Sequence, residues 1–329
     1  MRTLSLLGPY SRRRFVGCGA ASLVLLPTLT RAQSISPGVP LSPSPAQDAT
    51  KVAADTDAAK HLTIGVQING KGPYRFVVDT GADRSVIADT VATDLGLTRG
   101  PIVNVEGIVR TLPAQTVTLG DISFGAVRKE QLVVPVLPRA LLDADGYLGL
   151  DVIDGYRVTL DFRNRALLIE PPLYRFLLGH NKPNETIVPV SGHSGHLRAS
   201  YSRIDGLLAA TFIDTGAEVS VGNSKLFEEL AAGDPSYFKQ ETVMLTGVTG
   251  GTIGGRVADI NRIKMNSLTI YDSKVAISDL QIFDLWGLRD TPALLIGMNF
   301  LRQFNRVSID YGRKELRFDL ASMISPARG

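Results

Sequence analysis

The sequence predicts an all-β fold of two similar lobes, each a β-barrel-like unit with short helices. From residue 61 onward, short runs of β-branched and aromatic residues alternate with Gly, Pro and Asn turns, a pattern typical of β-strands. A segment around an Asp-Thr-Gly triplet occurs twice, 135 residues apart. The elements after each copy also come in the same order, which indicates that one lobe was duplicated.

The composition allows one or two folded domains and excludes several classes of protein. Of 329 residues, 44% are apolar and 20% charged, which excludes a disordered or collagen-like chain. The basic excess lies in the first 32 residues, which hold five arginines and no acid. We therefore expect no nucleic-acid partner. The one cysteine, Cys18, lies in the same segment, so the rest of the chain offers no disulfide or thiolate metal site.

Residues 1–32 have the pattern of an export signal. Arginines at 12–14 precede an apolar run over 15–29, and the small residue Ala32 follows; paired arginines are typical of the twin-arginine route. This run is shorter than the about 20 residues of a spanning helix, and it contains Pro27, a helix breaker. We expect export to the periplasm or cell envelope of a bacterium, without a stable membrane span. A retained membrane anchor is the alternative.

Residues 33–60 are predicted to form a tether or a propeptide. They are rich in Pro, Ser, Ala and Asp, a composition with too little apolar surface to build a core. We place the first lobe at 61–172, a connector at 173–186 and the second lobe at 187–329.

The repeated segment reads Phe-Val-Val-Asp-Thr-Gly-Ala-Asp-Arg-Ser-Val at 76–86 and Thr-Phe-Ile-Asp-Thr-Gly-Ala-Glu-Val-Ser-Val at 211–221. The elements that follow each copy are a short helical patch (88–95 and 224–232), an apolar-apolar-Gly element (147–151 and 295–299) and a pair of closing strands (158–169 and 307–318). One Asp-Thr-Gly triplet occurs by chance in on the order of a few per cent of chains this long. Two triplets with the same downstream elements indicate that the two segments are copies of one duplicated lobe.

These motifs resemble the aspartic protease superfamily, and within it the retropepsin-like branch of bacteria and retroviruses. The Asp-Thr-Gly-Ala-Asp at 79–83 matches the retroviral active-site signature, and 291–301 resembles the segment that lines the substrate cleft. The resemblance covers about residues 61–320. It implies a bilobal pepsin/retropepsin-like acid protease fold, a monomer with both lobes on one chain, a polypeptide substrate, and no metal or cofactor.

The resemblance assigns Asp79 and Asp214 as the catalytic pair. Two carboxylates about 3 Å apart cannot both ionise, and aspartic proteases are the standard example of such a pair. One group can then activate water while the other protonates the amide. The titration belongs to the pair and not to either residue.

The residues that follow each aspartate are expected to support the pair. Glycine lets backbone N–H groups face the carboxylates, and a threonine hydroxyl can bond across the junction between the lobes. Alanine withholds the hydroxyl that pepsin-type enzymes offer to the ionised pair, so we expect a pH optimum from mildly acidic towards neutral. These supporting residues are Thr80, Gly81, Ala82, Thr215, Gly216 and Ala217.

Two acids have a tentative place in the substrate cleft. The resemblance puts Asp83 and Glu218 beside the substrate backbone. Retroviral enzymes pair such an acid with an Arg after the downstream Gly, where this chain has Leu150 and Met298. The role of the two acids is therefore left open.

The other cleft candidates lie in the second lobe. The Gly-rich segment 246–255, with Gly250 and Gly251, favours a mobile hairpin tip over a plain turn. A phosphate loop is disfavoured because no Lys-Ser/Thr follows. Trp286 and Leu294 lie where the family lines the cleft, and ordinary core packing is the alternative for the aromatic cluster around Trp286.

Two further patterns are assigned no chemistry. The His-Ser-Gly-His at 193–196 favours a solvated loop over a metal pair or a serine nucleophile, because no acid cluster lies beside it. Asp161 and Asp310 occupy matching places in the closing strands, and duplication alone explains that match.

Two functions are compatible with the sequence. An active aspartic endopeptidase is favoured because both Asp-Thr-Gly triplets are intact. The alternative is an inactive peptide-binding or scaffolding protein of the cell envelope on the same fold.

Overall fold

The computed structural model describes residues 4–5, 50–56, 61–125, 127–170, 185–191, 198–199, 201–234, 237 and 241–320. The export signal apart from residues 4–5, the tether apart from 50–56, most of the connector and the His-Ser-Gly-His segment lie outside the described residues. Within those ranges, no helix has the length and apolar character needed to cross a membrane.

The strands are β1 (Leu4–Ser5), β2 (Thr50–Thr56), β3 (Leu62–Ile68), β4 (Lys71–Val78), β5 (Val86–Ala88), β6 (Arg99–Gly107), β7 (Thr111–Phe124), β8 (Val127–Leu137), β9 (Gly146–Leu148), β10 (Arg157–Asp161), β11 (Ala166–Glu170), β12 (Glu185–Ser191), β13 (Arg198–Ala199), β14 (Ser202–Ile204), β15 (Leu207–Leu208), β16 (Ala210–Ile213), β17 (Val221–Gly222), β18 (Thr242–Thr246), β19 (Thr252–Met265), β20 (Leu268–Ile277), β21 (Ala293–Ile296), β22 (Arg306–Asp310) and β23 (Glu315–Asp319). The helices are α1 (Asp89–Asp94), α2 (Arg139–Leu142), α3 (Leu150–Ile153), α4 (Ser224–Gly233), α5 (Gln281–Leu285) and α6 (Met298–Leu301).

The first lobe is a closed barrel of six strands. Its order is β3–β4–β9–β5–β8–β7, and β7 returns to pair with β3. Alternate residues of each strand point inwards; Ile64, Val66 and Ile68 of β3 are each at most 1% exposed. This alternation fills the barrel with the apolar residues that predicted the strands.

The second lobe repeats this order. β13 and β14, on either side of the undescribed Ser200, take the place of β3, and β16–β21–β17–β20–β19 follow. The two predicted helical patches are confirmed as α1 and α4. The Asn223 side chain caps α4 by accepting a 2.9 Å hydrogen bond from Leu226 N, as a residue before a helix commonly does. The predicted all-β fold with two similar lobes is confirmed.

An antiparallel sheet of six strands joins the two lobes. Its order is β2–β11–β10–β22–β23–β12. The central pair, β10 and β22, brings the Thr159 and Ser308 hydroxyls within 2.8 Å of each other. Each lobe supplies a closing hairpin to this sheet, which explains why those hairpins match in the sequence.

The outer strand β2 comes from the segment that the sequence assigns to the tether. Residues 50–56 pair with β11 and β3, so the folded part of the chain begins ahead of residue 61. Pairing at a sheet edge uses backbone groups and needs no apolar sequence, which is why composition does not predict this strand.

Two ion pairs cross the centre of this sheet. Arg157 lies 2.7 Å from Asp310, and Arg306 lies 2.7 Å from Asp161. Each carboxylate also accepts a 2.9 Å hydrogen bond from a backbone N–H of its own turn. Burial disfavours the charge on Asp161, but the hydrogen bonds from Asn164 and Arg306 outweigh it and lower its pKa. The structural role predicted for both acids is confirmed.

We expect Arg157→Ala to destabilise the protein by about 3 kcal/mol, because it leaves the buried Asp310 carboxylate without its cation. Arg128→Ala is the matched control, since its guanidinium is 61% exposed beside Asp121 and Glu130 and exposed pairs contribute under about 1 kcal/mol. Urea unfolding of the full chain measures both. Equal effects would show that the cross-lobe pair does not hold the lobes together.

Candidate active site

Asp79 and Asp214 lie at equivalent places at the ends of two strands. Asp79 follows β4 and Asp214 follows β16, and their N–H groups donate 2.9 Å hydrogen bonds to Leu148 O and Ile296 O. The two aspartates are 0% and 1% exposed. Each is thus fixed to the adjacent strand of its own lobe while its side chain faces the junction.

The two threonines exchange hydrogen bonds across the junction. Thr80 N donates to Thr215 Oγ1 and Thr215 N donates to Thr80 Oγ1, both at 3.1 Å. The hydroxyls in turn donate to backbone carbonyls of the opposite lobe, Thr80 to Ile213 at 3.3 Å and Thr215 to Val78 at 2.7 Å. Thr80 and Thr215 are buried, so water does not compete for these bonds.

The two glycines let the aspartate loops meet. Gly81 N and Gly216 N donate 2.8 Å hydrogen bonds to the carboxylates of Asp79 and Asp214 respectively. A Cβ on Gly81 would lie 2.6 Å from Asp214 Cγ, and a Cβ on Gly216 would overlap the Asp79 carboxylate. The structure therefore brings the two predicted carboxylates together, each against the glycine of the other lobe.

The alanines after these glycines are fully buried. The carbonyls of Ala82 and Ala217 accept hydrogen bonds from Leu150 N at 2.8 Å and Met298 N at 2.7 Å. Leu150 and Met298, at the positions where retroviral enzymes have Arg, thus hold the aspartate loops through backbone hydrogen bonds. A pattern of side chains in the sequence could not indicate this role.

A serine–acid contact supports the first aspartate loop. Ser85 donates from its N–H at 2.9 Å and from its hydroxyl at 2.7 Å to the same Asp151 oxygen. Gly149 N donates to the Ser85 hydroxyl at 3.0 Å. Sequence reasoning missed this network, although Ser85 and Asp151 both lie inside repeated segments.

The second lobe has the same contact with an amide in place of the acid. Ser220 donates from its N–H at 2.9 Å and from its hydroxyl at 2.8 Å to Asn299 Oδ1, and Gly297 N donates to that hydroxyl at 3.0 Å. Burial raises the pKa of Asp151, although hydrogen bonds from Ser85 and the charge of Arg84 oppose the shift. The Ser85–Asp151 and Ser220–Asn299 contacts therefore differ mainly in charge, because Asp151 can ionise and Asn299 cannot.

A buried tyrosine lies within the electrostatic field of the pair. Burial, followed by the charges of Asp154, Asp79 and Asp214, raises the pKa of Tyr311 well above its ordinary value. Its hydroxyl has no hydrogen-bond partner among the described residues. Tyr311 follows a closing strand, where the sequence gives no functional signal.

Two hairpins, one from each lobe, contact each other at their tips. We call residues 105–111, at the β6–β7 turn, the first flap and residues 246–252, at the β18–β19 turn, the second flap. Arg110 Nε donates to Thr249 O at 2.8 Å, and Thr249 Oγ1 donates to Arg110 O at 2.7 Å. The predicted glycine-rich hairpin tip is confirmed as a hairpin turn. The two flap tips are therefore joined by two hydrogen bonds between the lobes.

The glycines of the second flap have a conformational role. Gly250 and Gly251 have φ angles of +81° and +79°, which residues with a Cβ rarely adopt. A Cβ on Gly250 would also lie 2.5 Å from the Arg110 guanidinium. These glycines therefore permit the close contact between the flaps.

The other cleft candidates occupy different environments. Asp83 and Glu218 are half-buried, and their carbonyls accept hydrogen bonds from the backbones of Asp151 and Asn299. Trp286 stacks on Phe212, with ring centroids 4.6 Å apart. Leu294 is fully buried in the main apolar core. The cleft roles of all four stay predictions.

We expect Gly216→Ala to destabilise the protein by about 1 to 3 kcal/mol, because the added methyl group overlaps the Asp79 carboxylate at the lobe junction. Gly233→Ala is the matched control, since nothing lies within 4 Å of its added Cβ at the end of α4. Thermal unfolding compares the two variants with the wild type. A neutral Gly216→Ala would contradict the close approach of the two loops.

We expect Asp151→Asn to gain stability relative to the wild type as pH rises from about 4 to about 7. The folded state holds the Asp151 proton above its ordinary pKa of 3.8, so the stability that this proton brings is present at low pH and is lost as pH rises through the folded pKa. Thermal unfolding across this range measures the effect. Asn299→Asp should show the opposite trend, and parallel profiles for all three proteins would refute it.

Comparison with known proteins agrees with this geometry. A family model described as aspartyl protease matches residues 64–152 and 201–300, one match in each lobe and more than half of the chain together. Each match includes one Asp-Thr-Gly loop and one apolar-apolar-Gly element. None of the curated proteins compared matches the chain. The chain belongs to the aspartyl protease family.

Proposed function

We propose that the chain is an aspartic endopeptidase that hydrolyses peptide bonds in extended polypeptides through Asp79 and Asp214. The observation that carries the proposal is the reciprocal approach of each aspartate to the glycine of the other lobe. That approach requires the two buried carboxylates to share one small space. Two such groups retain one proton between them, which supplies an acid and a base together.

The hydrolysis then needs no group beyond the pair and a water molecule. The ionised carboxylate takes a proton from water as the water oxygen attacks the peptide carbonyl carbon. The protonated carboxylic acid gives its proton to the carbonyl oxygen, which forms a neutral tetrahedral intermediate. The carboxylic acid then protonates the amide nitrogen while the ionised carboxylate takes a proton from a hydroxyl of the intermediate; the C–N bond breaks, a carboxylic acid and an amine form, and the pair is singly protonated again. Gly81 N and Gly216 N orient the carboxylates throughout.

The flaps support an extended polypeptide as the substrate class. Each flap is a β-hairpin turn, and exposed backbone groups of such a turn can pair with a peptide like an added strand. The family resemblance further implies cleavage between bulky apolar residues. Trp286 and Phe212, which stack beside the second lobe's apolar cluster, are candidates for a side-chain subsite.

We further propose that the protein acts in the periplasm or cell envelope of a bacterium as a monomer. The basic and apolar pattern of residues 1–32 supports export by the twin-arginine route. One chain supplies both aspartates, so the site needs no second copy.

Asp79→Asn and Asp214→Asn should each lower the cleavage of an unfolded protein by at least about a hundredfold, because either change removes the shared proton chemistry. The full-length chain is assayed from about pH 3 to about pH 8, with and without a statine-type inhibitor. We expect a bell-shaped profile with its optimum from mildly acidic towards neutral. Asp272→Asn, at an exposed position within β20, is the matched control.

Three outcomes separate the functions. Inhibitor-sensitive cleavage that both active-site variants lose supports the dyad. Peptide binding without turnover in the wild type would instead support the inactive peptide-binding protein. Cleavage that survives either substitution would place the active site elsewhere.

A further inference from the structure

The first flap is attached to the second lobe at its tip. Ile108 is 1% exposed and belongs to an apolar cluster whose other fully buried members all come from the second lobe. Its carbonyl accepts a 2.8 Å hydrogen bond from Gln281 N, at the start of α5. The tip is therefore packed into the opposite lobe and bonded to it.

The same glutamine holds the stem of the first flap. Gln281 Nε2 donates to Glu106 Oε2 at 2.8 Å and to Thr111 Oγ1 at 2.9 Å. The Thr111 hydroxyl also donates to Glu106 Oε2. One side chain thus bonds to both strands of the flap, on either side of the turn.

Val248 at the tip of the second flap is buried as Ile108 is, but among the described residues the equivalent helix of the first lobe makes no such hydrogen bond to that flap. Arg139 opens α2 as Gln281 opens α5, but its N–H donates to Asp89 and its guanidinium contacts Asp145. All three residues belong to the first lobe. Arg139 is thus engaged within its own lobe, whereas Gln281 bonds to the flap of the opposite lobe.

Space for movement lies beside the second flap. A cavity of about 1080 Å³ separates α4 from the base of the β18–β19 hairpin and is lined by Phe227, Val243 and Ile253 among others. The aspartates do not line this cavity. The second hairpin therefore has room on its α4 side.

We propose that Gln281 is a positioning residue that fixes the first flap to the second lobe, so that a peptide reaches the aspartates through displacement of the second flap. The role of the peptide rests on the proposed protease function, whereas the attachment itself does not. Asp79 and Asp214 are buried, so part of the structure must move before a peptide can bind, and the second flap is the hairpin that Gln281 does not hold.

The test exchanges the amide of Gln281 and the carboxylate of Glu106 between the two positions. At about pH 7, Gln281→Glu loses the donor to Glu106 and sets two carboxylates against each other. The double variant Glu106→Gln/Gln281→Glu restores one amide donor and one carboxylate acceptor in reversed positions. The charged groups near this contact are Arg110 on the flap, which faces Thr249, and Asp284 on α5, which pairs with Arg289.

Hydrogen–deuterium exchange is measured on full-length protein carrying Asp79→Asn, which prevents self-cleavage. In this background the second flap should exchange at least about tenfold faster than the first. Gln281→Glu should speed exchange of the first flap about tenfold, since it removes a hydrogen bond to a charged group, and the double variant should reverse most of that gain. Gln303→Glu, at an exposed turn after α6, adds the same charge away from the flaps and should change neither flap.

Equal exchange of the two flaps in the Asp79→Asn background, or an unchanged first flap in Gln281→Glu, would overturn the proposal. In protein with Asp79 intact, Gln281→Glu should raise KM for a peptide about tenfold and change kcat less than about twofold, because the aspartates are untouched. A loss in kcat alone would assign Gln281 to the chemistry instead. The exchange measurements test the attachment of the first flap even if the chain cleaves no peptide. Failure of the attachment proposal is therefore distinguishable from failure of the protease proposal.

Discussion

The hydrogen bonds exchanged between Thr80 and Thr215 hold the two aspartate loops in one place. Each threonine hydroxyl accepts from the other loop's backbone and donates to a carbonyl of the other lobe. Removing one hydroxyl would leave a buried N–H and a buried carbonyl unsatisfied, at about 1 to 3 kcal/mol for each group. Such a linkage is costly to loosen and keeps two carboxylates together that would otherwise repel each other.

The rest of the molecule positions the strands that enter this junction. The barrels fix the ends of β4 and β16, the apolar-apolar-Gly elements hold the loops from behind, and the sheet between the lobes joins the closing hairpins. Gly149 and Gly297 pass so close to the loops that an added Cβ would lie within 3 Å of their backbones. Glycine is repeated at these two positions because a side chain would clash with the aspartate loop, and not because the backbone must be flexible.

Sequence reasoning succeeded where the signal was local and repeated. The Asp-Thr-Gly loops, the patches that became α1 and α4, and the closing strands each have a short pattern that occurs twice. The attachment of Gln281 to Glu106 has no such pattern, because the two residues lie 175 positions apart and belong to different lobes. Strand β2 was missed because its pairing depends on a free sheet edge.

A single chain can make its two lobes unequal, which an exactly symmetric pair of identical subunits cannot do. The two lobes have matching supports that differ in single residues: Asp151 against Asn299 behind the loops, and Gln281 against Arg139 at the starts of α5 and α2. A symmetric pair has two equivalent flaps, so any bond that restrains one restrains the other equally. Here one flap can be held to the opposite lobe as part of the binding surface while the other opens, and the pair of aspartates between them keeps its two-fold geometry.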